Sequence, residues 1–301
     1  MEKDARLSSV SYARVKGRSI DSFRRAILES LSLINYSFPK AENVVIKPNM
    51  CYYWDCSTGQ TTDPRFVAAL IETVREQISS SVDISIVESD ASAMKCKYSF
   101  KMLGYERLSR DYDVNLVNLS EDESSPVDVI VGGNSMRFML PQTIRKADLK
   151  IDVPKMKYME LTKISCALKN IYGCNPNPAK FKCHPRLGET IVALNKIMRF
   201  DVAILDGIIV AGRKPLRLDL VMASEDFVSL DAASAKLLGV NPKSIKHIML
   251  AMEEGLGNVS FVSKGEDPEF FERKFPRERF RDAVLLSAYR FALRTGLVSA
   301  G

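Results

Sequence analysis

The sequence lacks the features that mark membrane-spanning, secreted and fibrous proteins. Its 301 residues contain no apolar run near the roughly 18 residues that a spanning helix needs, and no apolar signal segment follows the charged start MEKDARLSSV. Internal repeats and low-complexity stretches are absent as well. With 46% hydrophobic and 27% charged residues, the composition is typical of a globular protein. We therefore expect a cytoplasmic protein that is neither secreted nor embedded in a membrane.

Histidine and cysteine are scarce. The chain has two histidines and six cysteines, and the cysteines lack the density and short spacing of a disulfide scaffold. They are therefore expected to be free thiols or metal ligands in a reducing compartment. No GxSxG, P-loop, GxGxxG or HExxH motif occurs, which argues against hydrolase, Walker-type, simple Rossmann and zincin chemistry.

Positive charge is modest in total but uneven along the chain. The net charge is +6, which is mild for this length and does not by itself imply a nucleic-acid partner. The lysines, however, concentrate between residues 146 and 182, and a smaller basic cluster follows at 213–217. Such clusters suit a small anionic ligand, although a solvated basic face fits them equally well.

Short β-branched runs alternate with helical patterns, which predicts an α/β fold. We expect a mostly parallel sheet with crossover helices on both faces. Residues 129–131 and 136–140, separated by Gly132, Gly133, Asn134 and Ser135, predict one inserted β-hairpin. The predicted parallel strands cover residues 44–47, 84–87, 114–118, 149–153 and 202–205.

Apolar spacing and capping residues predict the helices between these strands. Asp63 and Pro64 form the start of one helix, and Gly239 ends another that begins near Asp226. A basic amphipathic helix is predicted over residues 278–294, docked on the core. The pattern favours a single α/β domain over residues 1–301, or two interleaved lobes of about 1–145 and 146–301.

The segment 147–173 carries the densest group of candidate binding residues. A predicted strand runs into Pro154 and is followed by a lysine-rich loop, the position at which α/β sheets bind ligands. Lys169 follows on a short helix and is a candidate catalytic residue. Together with residues after the first core strand, the candidate binding residues are Lys47, Asn49, Lys155, Lys157 and Asn170.

Histidine and aspartate supply the other candidate catalytic groups. Asp206 ends a predicted strand before a glycine, where it is expected to point into the ligand crevice as a base or a cation ligand. Asp231 lies within an otherwise apolar helix and should face either a lysine or the site. His184 is the better placed of the two histidines. For the carboxylates, capping and ion pairing are equally open roles.

Five cysteines are candidate metal ligands. If the loops that carry them meet at the edge of the sheet, four thiolates could hold one metal ion or a 4Fe-4S cluster. Their spacings are not diagnostic, and burial as small apolar residues is the other interpretation. The five are Cys51, Cys56, Cys166, Cys174 and Cys183.

In order along the chain, a series of short motifs resembles the domain of unknown function 362 family. The motifs are IKPN at 46–49, TDPRFV at 62–67, VPKMK at 153–157, ALKNIYG at 167–173, His184, LDGI at 205–208, ASEDFVSLDA at 223–232 and GLGN at 255–258. Two positions depart from the family pattern, since Tyr158 stands in place of a histidine and Lys214 in place of a glycine. Some family members carry an appended ferredoxin-type cluster domain, whose closely spaced cysteines are absent here. A ferredoxin-type electron partner is compatible with the resemblance.

The same segment is distantly similar to the lactate racemase superfamily. There, a lysine anchors a nickel-pincer nucleotide and a later histidine binds nickel. Lys169 and His184 fall in comparable places, while Tyr158 replaces the first histidine of that pattern. The similarity implies the fold and the location of the site, and it adds a nickel-dependent isomerase as an alternative function.

The leading hypothesis is an enzyme, of oxidoreductase or isomerase type, that binds a small anionic substrate or a phosphorylated cofactor at the strand ends. Redox chemistry at a cysteine-bound cluster is its associated form. A non-catalytic metal or iron–sulfur carrier is the main rival. An RNA-binding protein that stacks bases on Tyr158, Tyr172 and Phe181 ranks last, because no recognised module accompanies them. No membrane partner is expected, and a homo-oligomer is compatible with the sequence.

Overall fold

The computed structural model describes residues 7–212 and 214–275, so the helix predicted over 278–294 lies outside the described residues. Its strands are β1 (Ser8–Arg14), β2 (Asn43–Pro48), β3 (Asp83–Glu88), β4 (Asn115–Asn118), β5 (Ser124–Val131), β6 (Asn134–Pro141), β7 (Leu149–Val153), β8 (Lys157–Met159), β9 (Lys163–Ser165), β10 (Val202–Ala211), β11 (Pro215–Ser224) and β12 (Phe261–Gly265). Its α-helices are α1 (Ile20–Leu33), α2 (Pro64–Gln77), α3 (Cys96–Met102), α4 (Tyr105–Tyr112), α5 (Gln142–Lys146), α6 (Ala167–Ile171), α7 (Leu187–Met198), α8 (Phe227–Leu237), α9 (Lys246–Glu253) and α10 (Pro268–Glu272).

One large sheet organises the described residues. Its strands follow the order β12-β1-β11-β10-β7-β2-β3-β4, and β8 and β9 extend it beside β10. The pairs from β10 through β7, β2 and β3 to β4 are all parallel, whereas β11 pairs antiparallel with both β1 and β10. The predicted α/β fold with a mostly parallel sheet is therefore confirmed.

The sheet buries apolar side chains on both faces, as a parallel sheet with crossover helices must. On one face, α1 and α2 place Phe23 and Phe66 against the β2 and β3 side chains. On the other face, α6 to α9 form a second core with residues such as Leu168 and Ile191. The polar ends of the strands are left to meet at the edge between these two layers.

Local capping follows the sequence at several helix ends. The Asp63 side chain accepts a hydrogen bond from the Arg65 amide at 2.9 Å, and Pro64 occupies the first turn of α2. Helix α8 is followed by Gly239, whose φ of +71° is in the left-handed region that favours glycine. The predicted hairpin forms as β5 and β6, where Gly132 and Gly133 both have positive φ, as a type I′ turn requires.

The structure differs most from the predicted pattern of strands at β10 and β11. The sequence predicted a strand that ends near residue 205, but β10 continues to Ala211 and turns back into β11 as an antiparallel pair. Gly207 permits this pairing, because a Cβ there would lie 2.8 Å from the Leu220 carbonyl oxygen. Among the described residues, no helix is both long and apolar enough to cross a membrane.

Candidate functional site

A cavity of about 290 Å³ opens where β2, β3 and β7 end. This edge is the one at which open α/β sheets bind ligands. The structure brings seven of the predicted site residues to the wall of this cavity. They are Lys47, Asn49, Cys51, Lys157, Lys169, Asn170 and His184.

An ion pair between Lys47 and Glu88 forms part of the cavity floor. The Lys47 Nζ lies 2.8 Å from Glu88 Oε2, and the two side chains are only 1% and 2% exposed. Burial disfavours the ammonium form, but the neighbouring Glu88 carboxylate outweighs it, so the pKa of Lys47 is raised. Gly173 packs directly on this pair, since a Cβ there would lie 3.2 Å from both Lys47 Nζ and Glu88 Oε1.

A chain of amide hydrogen bonds leads from the core to Lys157. The Asn170 Nδ2 donates to Asp152 Oδ1 at 2.7 Å, and Asn49 Nδ2 donates to Asn170 Oδ1 at 2.8 Å. Lys157 Nζ in turn donates to Asn49 Oδ1 at 2.6 Å and to the Gln60 carbonyl at 3.0 Å. Because each amide uses its oxygen and nitrogen in a fixed sense, the chain sets the position of the Lys157 amine.

Burial shifts the pKa of the side chain at each end of this series of hydrogen bonds, Lys157 and Asp152. Loss of hydration lowers the pKa of Lys157 to about 8, and the nearby ammonium groups of Lys169, Lys155 and Lys47 lower it too. At the other end, burial raises the pKa of Asp152 well above its ordinary value. A lysine with a pKa near 8 exchanges protons readily close to neutral pH.

Two more lysines, Lys169 and Lys180, line the cavity and form no ion pair with a carboxylate of the described residues. Lys169 has no hydrogen bond or ion pair within residues 7–212 and 214–275, and its Nζ lies 5.6 Å from the centre of the Tyr172 ring. Burial lowers the pKa of Lys169. Lys180 donates to Ser89 Oγ at 2.6 Å and to the Gly173 carbonyl at 3.0 Å. The sequence did not single out Lys180, which comes from a lysine-rich loop without a distinguishing motif.

The charges around the cavity do not balance. Glu88 neutralises Lys47, whereas Lys157, Lys169 and Lys180 have no carboxylate within 4.0 Å in the described part of the chain. Positive groups in a partly dehydrated cleft attract anions much more strongly than they do in water. The cavity is therefore electrostatically suited to a small anion.

Lys155 and Asp206 pair with each other behind the cavity. Lys155 Nζ lies 3.1 Å from Asp206 Oδ1, and both side chains are fully buried. The second oxygen of Asp206 accepts the Asp63 backbone N–H at 2.9 Å, which ties the start of α2 to β10. The sequence placed these side chains in the ligand crevice, but neither lines the cavity. The reason is that each provides the counter-charge of the other.

Asp231 also lies in the core and not on the cavity wall. Its Oδ1 accepts the Ala167 N–H at 2.7 Å, so α8 supports the first turn of α6, which carries Lys169. Its Oδ2 lies 3.9 Å from His247 Nε2, and neither atom has a hydrogen-bond partner within the described residues. Asp231 thus touches neither Lys169 nor the cavity, and its contacts are those of a positioning residue.

The cysteines do not gather into a metal centre. Within residues 7–212 and 214–275, no three His, Cys, Asp or Glu side chains are placed to hold a metal ion. Cys166 contacts Ser234 in the core at 3.3 Å, Cys174 is fully buried, and burial raises the pKa of Cys56 to about 11. Cys51 is at the cavity wall, while Cys183 is half-buried away from it. The predicted four-thiolate site is not assembled in the described part of the chain, because Cys166 and Cys174 are enclosed in the core while Cys51, Cys56 and Cys183 are partly exposed.

The position of Cys51 gives a first testable consequence. We expect iodoacetamide to alkylate Cys51 roughly ten-fold faster or more than Cys56 and Cys174, whose pKa values burial raises to about 11 and about 12. Sulfate should slow the reaction at Cys51 by occupying the cavity. Peptide mass spectrometry after timed labelling measures each site, and the half-buried Cys183 is the internal control. Labelling of Cys51 no faster than that of Cys56 would contradict this placement, and equal labelling with and without sulfate would show that sulfate does not cover Cys51.

Residues 44–236 match the family described as Domain of unknown function (DUF362), which is more than half of the chain. The chain is therefore an α/β protein of the DUF362 family, and the family predicted from its motifs is confirmed. All seven cavity residues predicted from the sequence lie within the matched range.

Individual relatives are more distant. The thylakoid-associated protein sll1697 of Synechocystis sp. is 26% identical over 276 residues, which cover 87% of this chain and 80% of that protein. Among solved structures, the lactate racemase apoprotein from Thermoanaerobacterium thermosaccharolyticum gives a TM-score of 0.45 at 11% identity over 75% of this chain. A Thermotoga maritima protein gives 0.40 at 10% identity over 78% of it. This chain spans 56% and 59% of those two solved chains, respectively.

Proposed function

We propose that this protein is an enzyme that binds a small anion in the lysine-lined cavity and transfers a proton to or from it. The observation that carries the proposal is the set of three cavity lysines that have no carboxylate partner among the described residues. Such a charge excess costs folding free energy unless a ligand completes it. Stable proteins retain costs of this kind mainly at functional sites.

Lys157 is the proposed proton-transfer group. Its pKa of about 8 means that protonated and neutral amine coexist near neutral pH. Its bonds to Asn49 and Gln60 engage two of the three ammonium hydrogens, which leaves one for a ligand. Lys169 and Lys180 would hold the negative charge of the ligand nearby. His184, on the same wall, is a second group that can exchange a proton with it.

Metal-dependent forms of the hypothesis find less support in the donor set. The cavity wall offers one thiol, from Cys51, one imidazole, from His184, and the weak thioether donors of Met50, Met94 and Met159. Within the described residues, no three His, Cys, Asp or Glu side chains are arranged to hold a metal ion. These residues do not fit a cysteine-bound cluster, and they do not fit a metal carrier. The proposal therefore includes no metal-dependent step. All six cysteines are free, which supports a location in a reducing compartment such as the cytoplasm.

Sulfate titration tests the proposal, because sulfate stays a dianion across the relevant pH range. We expect the affinity for sulfate to fall roughly ten-fold or more between pH 7 and pH 9.5. The direction follows from the pKa of Lys157, about 8, above which the amine loses the charge that attracts the anion. Isothermal titration calorimetry at several pH values gives the profile, with circular dichroism to check folding at each pH.

Lys157→Met and Lys182→Met are the paired control variants. Lys157→Met should bind sulfate more weakly than the wild type at pH 7. The pH at which its affinity for sulfate falls should be higher than in the wild type. Lys182 is exposed and does not line the cavity, so Lys182→Met should keep the wild-type profile. If the affinity of the wild type for sulfate stayed constant up to pH 9.5, Lys157 would not contribute to anion binding. No sulfate binding at all would overturn the proposal.

A further inference from the structure

Aromatic side chains surround the mouth of the cavity. Tyr52 and Phe181 belong to its wall, yet they are 46% and 56% exposed. Trp54 is 50% exposed and packs on Tyr52, with ring centres 5.4 Å apart. Large apolar side chains left in solvent beside a ligand cavity are available to contact the part of the ligand that extends outward.

The backbone at Tyr52 is strained. Its φ of +51° lies in the left-handed region, which bulky residues other than glycine rarely adopt. A glycine or asparagine would relieve this strain at no loss of packing in the core, because the ring of Tyr52 is half in solvent. Strained positions of this kind concentrate at ligand clamps, where the conformation aims a side chain.

The cavity floor favours a ligand with two negative charges. Lys157, Lys169 and Lys180 line it with no carboxylate of the described residues within 4.0 Å, so a monoanion would leave most of their charge uncompensated. A phosphate monoester is largely a dianion at neutral pH and accepts several hydrogen bonds through its terminal oxygens. It would therefore match the number of donors on the floor better than a carboxylate.

We infer that the anion is a phosphate monoester that carries a flat ring. The phosphate group would sit on the lysine floor and the ring would stack at the mouth on Tyr52 and Phe181. This inference deepens the proposed function and rests on it, because the floor must first bind the anion. Tyr52 and Phe181 would then decide which phosphate esters bind.

Two simple phosphate esters distinguish the contribution of the lysine floor to binding from that of the aromatic mouth. Methyl phosphate offers the charge alone, and phenyl phosphate adds one aromatic ring. We expect phenyl phosphate to bind roughly ten-fold tighter, as measured by isothermal titration calorimetry, since ring stacking has about this effect. Trp54 is the one tryptophan of the chain, so its fluorescence reports on the mouth. Phenyl phosphate should reduce acrylamide quenching of Trp54, whereas methyl phosphate should not.

Substitution of Tyr52 separates a ligand role from a structural one. Tyr52→Gly relieves the left-handed backbone, so we expect unchanged or higher thermal stability together with loss of the preference for phenyl phosphate. Methyl phosphate should bind this variant as it binds the wild type. Tyr98→Ala is the matched control, because Tyr98 is 50% exposed on α3 but does not line the cavity. It should retain the preference.

The outcomes distinguish the inference from the proposed function beneath it. Equal affinity for the two esters with unchanged Trp54 quenching would overturn the role of the mouth and leave the anion floor intact. A preference for phenyl phosphate that survives in Tyr52→Gly and in Phe181→Ala would overturn it as well. Failure of both esters and of sulfate to bind would overturn the proposed function itself.

Discussion

Replacing Lys47 with methionine is expected to lower the free energy of unfolding by about 3–5 kcal/mol. The variant leaves the Glu88 carboxylate buried, and among the described residues its remaining hydrogen-bond donor is the Ser89 backbone N–H at 2.9 Å. An uncompensated charge in a dry environment costs far more than the loss of an exposed ion pair. Methionine keeps most of the length and packing of the lysine stem, so the effect reports on the charge. Urea unfolding at pH 7, followed by circular dichroism, measures it.

A double variant and an exposed ion pair serve as the controls for this experiment. Lys47→Met combined with Glu88→Gln should recover most of the lost stability, because the amide carries no charge. Arg137 and Asp128 form an ion pair at 2.7 Å whose side chains are 70% and 59% exposed. Arg137→Met should therefore change stability by less than about 1 kcal/mol. A Lys47→Met effect as small as that of Arg137→Met would show that solvent reaches the Lys47–Glu88 pair.

The parallel half of the sheet was predictable because its signals are local. The strands at 149–153 and 84–87 are short, largely apolar runs with an apolar residue at every second position, and Asp63 with Pro64 marks a helix start within a few residues. Periodicity and capping both act over one or two turns, so they are readable without tertiary structure. The division into one domain or two lobes does not follow from such signals and stays a prediction.

The antiparallel half was harder to predict because its pairing is tertiary. β1 carries serine at positions 8, 9 and 11, which dilutes its apolar pattern, yet it is largely buried between β11 and β12. β10 also continues past the point at which Asp206 and Gly207 indicate a strand end. A polar residue inside a strand is tolerated here because Lys155, from a distant segment, pairs with Asp206.

The contrast between local signals and tertiary pairing also explains which site residues were placed correctly from the sequence and which were not. Lys47 lies at the end of β2 and Asn49 directly follows it, while Lys157 comes four residues after the end of β7, so the fold alone brings them to one edge. Asp206 and Asp231 have partners 51 and 64 positions away in the chain, which nothing in the sequence reveals. A buried aspartate beside a lysine-rich segment therefore predicts burial and pairing but not which groups face the ligand.

Lys169→Met is expected to reduce the affinity for sulfate by roughly 30-fold or more without lowering the stability of the protein. Lys169 is partly buried on the cavity wall, and truncating a charge that makes a charge-assisted contact in such a place usually has an effect of this size. Stability should hold because Lys169 makes no hydrogen bond or ion pair within the described residues, so methionine removes none. Calorimetric titration with sulfate at pH 7 and urea unfolding of the same preparations measure the two effects separately.

The pKa of Lys169 also sets how the stability of this variant depends on pH. Burial lowers that pKa, so the folded protein binds the proton less tightly than the unfolded chain does, and the charged lysine opposes folding. The gain in stability from Lys169→Met should be largest at neutral pH, where the unfolded lysine is charged, and should disappear as the pH rises past its ordinary value of 10.5. Lys182→Met, at an exposed site, should change neither affinity nor stability. If Lys169→Met instead lost stability and kept its affinity for sulfate, Lys169 would be a structural residue, and the charge that attracts the anion would have to come from Lys157 and Lys180 alone.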